Sequence, residues 1–153
     1  MIIYLDMDGV ISDFNAVWHE YEPNTPDEQR FWKAVYEDRI FEKLPLMPKA
    51  EKLLKFLRKQ SAKVEILTAT GSSDGRQFNM AASQKLNWLE ANRIFFKANF
   101  VAHAEQKCDF ANGTNTILID DRRTAIHPFQ VFGGIGIEHV DVDDTIEALR
   151  KIL

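Results

Sequence analysis

A chain of 153 residues is long enough to bury one core and too short for two full domains. Its 45% hydrophobic and 27% charged residues exclude disordered, collagen-like and low-complexity classes. A net charge of −4, from 19 basic and 23 acidic residues, leaves no broad positive field; long nucleic acid is therefore not an expected partner, whereas a small phosphorylated substrate needs only a local positive pocket.

Ile2–Leu5 is a short apolar run that reads as a buried strand, running into Asp6-Met7-Asp8-Gly9-Val10. From about residue 14 to residue 46 the character changes, with Phe14, Trp18, Tyr21, Phe31, Trp32, Tyr36 and Phe41 standing among many charges. Within it, Thr25-Pro26-Asp27-Glu28 suits a helix start, with Thr25 at the N-cap, Pro26 at the first helical position and Glu28 closing a capping box. The stretch reads as a small helical insert outside the main sheet. Ala50, Leu53, Leu54 and Leu57 then trace one face of an amphipathic helix. Val64, Ile66 and Leu67 form a second strand ending at Thr68, and the turn-rich Ala69–Gly75 follows. Phe78, Ala82, Leu86 and Leu89 trace another helix, while Ile94–Phe96 and Phe100–Ala102 are apolar runs of unassigned type. After the Asn112-Gly113 turn, Ile117-Leu118-Ile119 is a third strand ending at Asp120-Asp121, and Gly133–Ile137 is a fourth. Asp144 with Glu147 caps a last helix carrying Ile146, Leu149 and Leu153. Apolar strands alternating with amphipathic helices argue for an α/β parallel sheet covered on both faces.

In such a sheet, ligands bind beyond the carboxyl ends of the strands. Three strands end there in polar residues: Asp6 and Asp8, Thr68, and Asp120 with Asp121. Four carboxylates on one rim repel one another, and a hard divalent cation, best Mg²⁺, resolves the conflict. An Asx turn or a helix cap explains either acidic pair alone, but capping does not explain two pairs that each directly follow an apolar strand.

Asp6-Met7-Asp8-Gly9-Val10 resembles the first motif of the haloacid dehalogenase (HAD) superfamily, and Thr68, closing Val64–Leu67, resembles the second. Lys107 stands ahead of the third strand, where that superfamily keeps its lysine, and Ile117–Asp121 resembles the fourth motif. The set occurs in order and frames nearly the whole chain. The resemblance implies a three-layer α/β/α Rossmann-like fold with a small helical cap inserted after the first strand. It implies a Mg²⁺-dependent phosphatase in which Asp6 is the nucleophile and Asp8 the general acid and base, its backbone carbonyl also touching the metal. Asp120 would complete the metal ligands and Asp121 would support the metal waters, while Thr68 and Lys107 would hold phosphoryl oxygens. Asp-Met-Asp-Gly-Val, Leu118–Arg122 and Lys85-x-x-Trp88-Leu89 are similar to the 5'(3')-deoxyribonucleotidase branch, which implies a nucleoside monophosphate as substrate. Val10 replaces the commoner Thr, and the loop from Thr68 to Gln77 departs from that branch. A sugar phosphate, a nucleic-acid 3' end or a non-catalytic metal-binding module are the other readings.

Lys97 competes with Lys107 for the phosphate role, and a solvated surface lysine is the plain alternative for both. Arg122 and Arg123 either reach a substrate phosphate, support Asp121 or form surface salt bridges. Phe14, Trp18, Phe31, Trp32 and Tyr36 either offer a stacking slot for a base or build the insert's own small core. His19, His103, His127 and His139 show no metal spacing, and Cys108, the only cysteine, reads as a small packing residue. A single cysteine forms no intramolecular disulfide, which fits a reducing, cytoplasmic setting. The opening segment carries neither a secretory signal nor a membrane span, so no membrane partner is expected.

Overall fold

The computed structural model describes residues 1–153. Alternate residues of its central strands enter two different cores, as the period-two geometry of a strand requires. On β1 (Ile2–Leu5), Ile3 and Leu5 join one cluster and Tyr4 the other. On β4 (Thr116–Asp120), Ile117 and Ile119 face the first cluster and Leu118 the second, and on β2 (Lys63–Ala69) Ile66 and Leu67 divide likewise. With β3 (Lys97–Val101) and β5 (Ile135–Glu138) these strands form one parallel sheet in the order β3-β2-β1-β4-β5. The larger core takes in α3 (Ala50–Leu57), α4 (Gly75–Ala91) and α6 (Val142–Ile152). The opposite face is covered by α5 (Arg123–Val131), through Ala125, Ile126 and Phe129, and by the 3-10 segment Ala104–Phe110 through Phe110.

Between β1 and α3 the chain builds α1 (Phe14–Trp18), α2 (Asp27–Tyr36) and a 3-10 turn, Ile40–Glu42. Its outgoing and returning segments pair with each other: Met47 N–H donates to the Ile11 carbonyl at 2.9 Å, and Asp13 N–H donates to the Pro45 carbonyl at 2.8 Å. Ala34, Val35, Ile40, Phe41 and Leu44 join the larger core directly. Two buried side chains of α4 hold the segment down: Gln84 Nε2 donates to the Val35 carbonyl and Trp88 Nε1 to the Leu44 carbonyl, each at 2.7 Å.

The structure departs from the local sequence pattern in several places. Pro26, with ψ 138°, is itself the N-cap of α2 and makes no side-chain capping bond, while the Thr25 hydroxyl turns to Glu22. The cap of α6 is Asp141, which accepts from Asp143 N–H; the helix starts early because Val142 is buried in the core, and this puts Asp144 inside the first turn. Leu86 is 47% exposed, because α4 turns Ala81, Lys85, Trp88 and Leu89 inward instead. The unassigned run at Phe100 belongs to β3. Gly133 and Gly134 precede β5 rather than forming part of it. Arg123–Val131 is helical although Pro128 interrupts the helical pattern in its sequence.

Trp88 is 1% exposed and its indole N–H donates to the Leu44 carbonyl. Trp88→Phe is expected to cost about 1–3 kcal/mol through the orphaned buried carbonyl, lowering the melting temperature by roughly 3–10 °C. Calorimetry checks this, and an unchanged melting temperature would show that the contact anchors nothing.

Candidate active site

Strand register builds the site. Leu5 lies opposite Ile119 on β4 and Ile66 on β2, so Asp6, Asp120 and Thr68 emerge together where the strand order reverses. All three are buried, Asp120 fully so. From the 3-10 segment Ala104–Phe110, the buried Lys107 reaches into this gap. Its Nζ lies 2.8 Å from Asp6 Oδ1 and 2.5 Å from Asp120 Oδ2. Burial works against the Lys107 charge, but the carboxylates of Asp6 and Asp120 outweigh it, and the ammonium's pKa is raised.

The carboxylates respond to the same burial. Asp120 is pushed up to about 7, first by desolvation and then by the charge of Asp6, with Lys107 and the Arg122 N–H pulling the other way. Asp121 is pushed up to about 6 by desolvation and then by Asp6. One oxygen from each of Asp6, Asp120 and Asp121 lies within 4.8 Å of the others. Three hard oxygen donors with no imidazole or thiolate suit a small divalent cation of the Mg²⁺ kind, and its charge would favour the ionised forms of Asp120 and Asp121. Gly9 makes room for this cluster. Its φ of +83° favours glycine, and a Cβ there would sit 2.2 Å from Asp121 Oδ2.

Asp8 stands apart. Its carboxylate is not in the three-oxygen cluster, which leaves its main-chain carbonyl for any role toward a cation. Instead Oδ2 takes Lys85 Nζ at 2.5 Å and Oδ1 accepts from the Ser12 hydroxyl at 2.9 Å. Lys85 is fully buried, donates also to Thr68 Oγ1 at 3.2 Å, and lies 4.4 Å from the centre of the Phe41 ring.

Sequence reasoning gave Lys85 no role, although a signal was present. It sits within the buried stripe Ala81, Ala82, Trp88 and Leu89, where an unpaired lysine is too costly to keep. Lys97, the rival of Lys107, lies at the start of the edge strand β3 with its side chain 66% exposed, 3.6 Å from Glu65. Arg123 is paired with Glu138 at 3.0 Å on the surface. Arg122 lines the cleft above the site, together with Asp6, Asp8, Thr68, Lys107 and an aromatic wall of Phe14, Phe31 and Phe41. Trp18 does not line this cleft: it stacks 5.5 Å behind Phe14 and carries Arg30 over its ring at 3.9 Å.

No family model and no curated protein matches the sequence. Solved structures do match in fold. A HAD-superfamily hydrolase from Ehrlichia chaffeensis aligns at 10% identity over 99% of this chain and 96% of its own, with a TM-score of 0.58. A hydrolase from Streptococcus pneumoniae TIGR4 aligns at 15% identity over 97% of each chain, with a TM-score of 0.61. A protein described as a putative beta-phosphoglucomutase from Thermotoga maritima aligns at 15% identity over 99% of each chain, with a TM-score of 0.55. The chain has a HAD-like α/β fold. At these identities the likeness is one of fold and does not reach the nucleotidase branch. No helix is long and apolar enough to cross a membrane.

A carboxylate raised to about 7 keeps a proton in the folded protein that the unfolded chain releases near pH 4. The folded state then binds more protons between those values, and its stability falls as pH rises through the window. With chelator present, the melting temperature of the wild type relative to Asp120→Asn is expected to drop from about pH 5 to about pH 7.5. A pH-independent difference would mean that Asp120 is ionised throughout.

Proposed function

We propose that this protein is a divalent-cation-dependent phosphomonoester hydrolase that works through an aspartyl-phosphate on Asp6. One observation carries the reading: a cleft whose floor holds Asp6 beside the buried ammonium of Lys107, together with the Thr68 hydroxyl and a separately held carboxylate, Asp8, both of which a second buried ammonium, Lys85, touches from beneath. Lys107 and Lys85 supply fixed positive charge for a phosphoryl group, and Thr68 supplies a hydroxyl donor. A phosphoryl oxygen beside Thr68 comes within reach of Lys85, which already touches both Thr68 and Asp8. Asp6 attacks phosphorus, the new Oδ–P bond forming as the bond to the leaving oxygen breaks, and Asp8 gives that oxygen a proton. Asp8 then takes a proton from water as the water oxygen attacks phosphorus, which releases phosphate and regenerates Asp6. A divalent cation held by Asp6, Asp120, Asp121 and the Asp8 carbonyl would supply further neutralisation of phosphoryl charge.

The aromatic wall favours a leaving group with a flat apolar face, which supports a nucleoside monophosphate of the deoxyribonucleotide kind ahead of a sugar phosphate. Phe14 and Phe31 are the stacking candidates; Phe41, 3% exposed, belongs to the core beneath them, and Trp18 packs against Phe14.

Asp6→Asn is expected to lower turnover by at least about 10³-fold with an unchanged circular dichroism spectrum. Chelation should stop the wild type and Mg²⁺ should restore it. Near-normal activity of the variant, or full activity in excess chelator, would end the proposal.

Phe14→Ala is expected to lower kcat/KM for nucleotides by roughly 5- to 150-fold, the worth of one lost base stack, while a small aryl phosphate is barely affected. Trp18→Ala, which only loosens packing behind Phe14, should affect both substrates alike. Equal losses on both substrates in Phe14→Ala would remove the nucleotide and leave a phosphatase for another small phosphomonoester.

A further inference from the structure

We infer that Ser12 is a positioning residue that sets the orientation of the Asp8 carboxylate and ties it to the junction between sheet and insert. The inference rests on the role proposed above for Asp8 as proton donor. Ser12 is fully buried, and its hydroxyl donates to Asp8 Oδ1 at 2.9 Å. Lys85 holds the other oxygen, so the carboxylate is fixed at both ends by groups from separate parts of the fold. The two anchors differ in kind. Lys85 rides on α4 and also touches Thr68, so its ammonium is shared with the phosphoryl end of the cleft. Ser12 has no such second partner for its hydroxyl, and its hold on Asp8 survives any shift of Lys85 toward substrate.

The backbone of Ser12 explains how firmly that hydroxyl is placed. Its N–H donates to the Met7 carbonyl at 2.9 Å and its carbonyl accepts from Gly9 N–H at 2.8 Å, which locks it to the turn that carries Asp8. It also sits opposite Leu46, between the Met47–Ile11 and Asp13–Pro45 hydrogen bonds that join the outgoing and returning segments of the insert. A displacement of the insert at its root therefore moves the Ser12 hydroxyl and with it the carboxylate. In chemical terms, Ser12 keeps Oδ1 turned inward, so that once Lys85 turns from Oδ2 to the phosphoryl group, Oδ2 is the oxygen that carries the proton and gives it to the leaving oxygen as the Asp6–phosphorus bond forms.

A leaving-group series in the presence of Mg²⁺ tests this. Phosphorylation of Asp6 needs the acid most when the departing oxygen is a poor leaving group, and kcat/KM contains only the steps through that phosphorylation. Ser12→Ala is expected to lower kcat/KM for an alkyl phosphate by about 10- to 100-fold, a part of what a general acid contributes, and for an electron-poor aryl phosphate by less than about 3-fold. Asp8→Asn should show the same contrast, larger. Equal losses across the series, or no loss, in Ser12→Ala overturn the inference, because a merely structural role does not discriminate between leaving groups. If the wild type cleaves neither ester, the phosphatase reading fails by itself. The positioning claim is then judged on crystal structures of wild type and Ser12→Ala: an Asp8 carboxylate that keeps its orientation without the hydroxyl overturns it, and one that turns upholds it.

Discussion

Two buried ammonium groups, one facing the buried carboxylates of Asp6 and Asp120 and one facing the half-buried Asp8, are the constraint around which this molecule is arranged. Lys107 lies between Asp6 and Asp120, and Lys85 lies between Asp8 and Thr68. A charge buried without a partner costs several kcal/mol, and removing one member of a buried pair is strongly destabilising. Each of these groups therefore depends on the others being delivered to the same place. The delivery comes from β1, β2, β4, α4 and the 3-10 segment before β4, so that the site and the fold share the same requirements.

Such an arrangement is poor for stability and good for chemistry. Well-packed apolar residues in the same space would be at least as stable. The buried charges keep a preorganised field at the carboxyl ends of the strands, where water would otherwise screen it. Asp120 and Asp121 reflect the strain, since desolvation and the neighbouring Asp6 raise both. The apolar cores on the two sheet faces supply the compensating stability, and the larger one reaches into the insert through Ala34, Val35, Ile40, Phe41 and Leu44.

The insert consequently serves two ends at once. Its inner residues complete the main core, and its Phe14, Phe31 and Phe41 form the wall of the cleft. Tying it to α4 through Gln84 and Trp88 places the aromatic wall and Lys85 on one rigid support. Orientation of a bound group and orientation of the charges that act on it are then linked by packing rather than by sequence proximity.

The sequence alone determined the class of fold and the acidic half of the site. Short continuous apolar runs and helices with a 3.6-residue stripe are local patterns, and an acidic pair after a strand has only one edge to occupy. Asp6, Asp8, Thr68, Asp120 and Asp121 were legible for that reason, and Lys107 was legible as one of two lysines. Tertiary structure decided the rest. It took Lys97 to the sheet edge, moved Trp18 out of the cleft and separated the Asp8 carboxylate from the other three. It brought Lys85 to Asp8 across 77 residues of sequence. Long-range pairing is a property of packed elements; the helix stripe can show that Lys85 faces inward, but not which carboxylate the opposing surface brings to it.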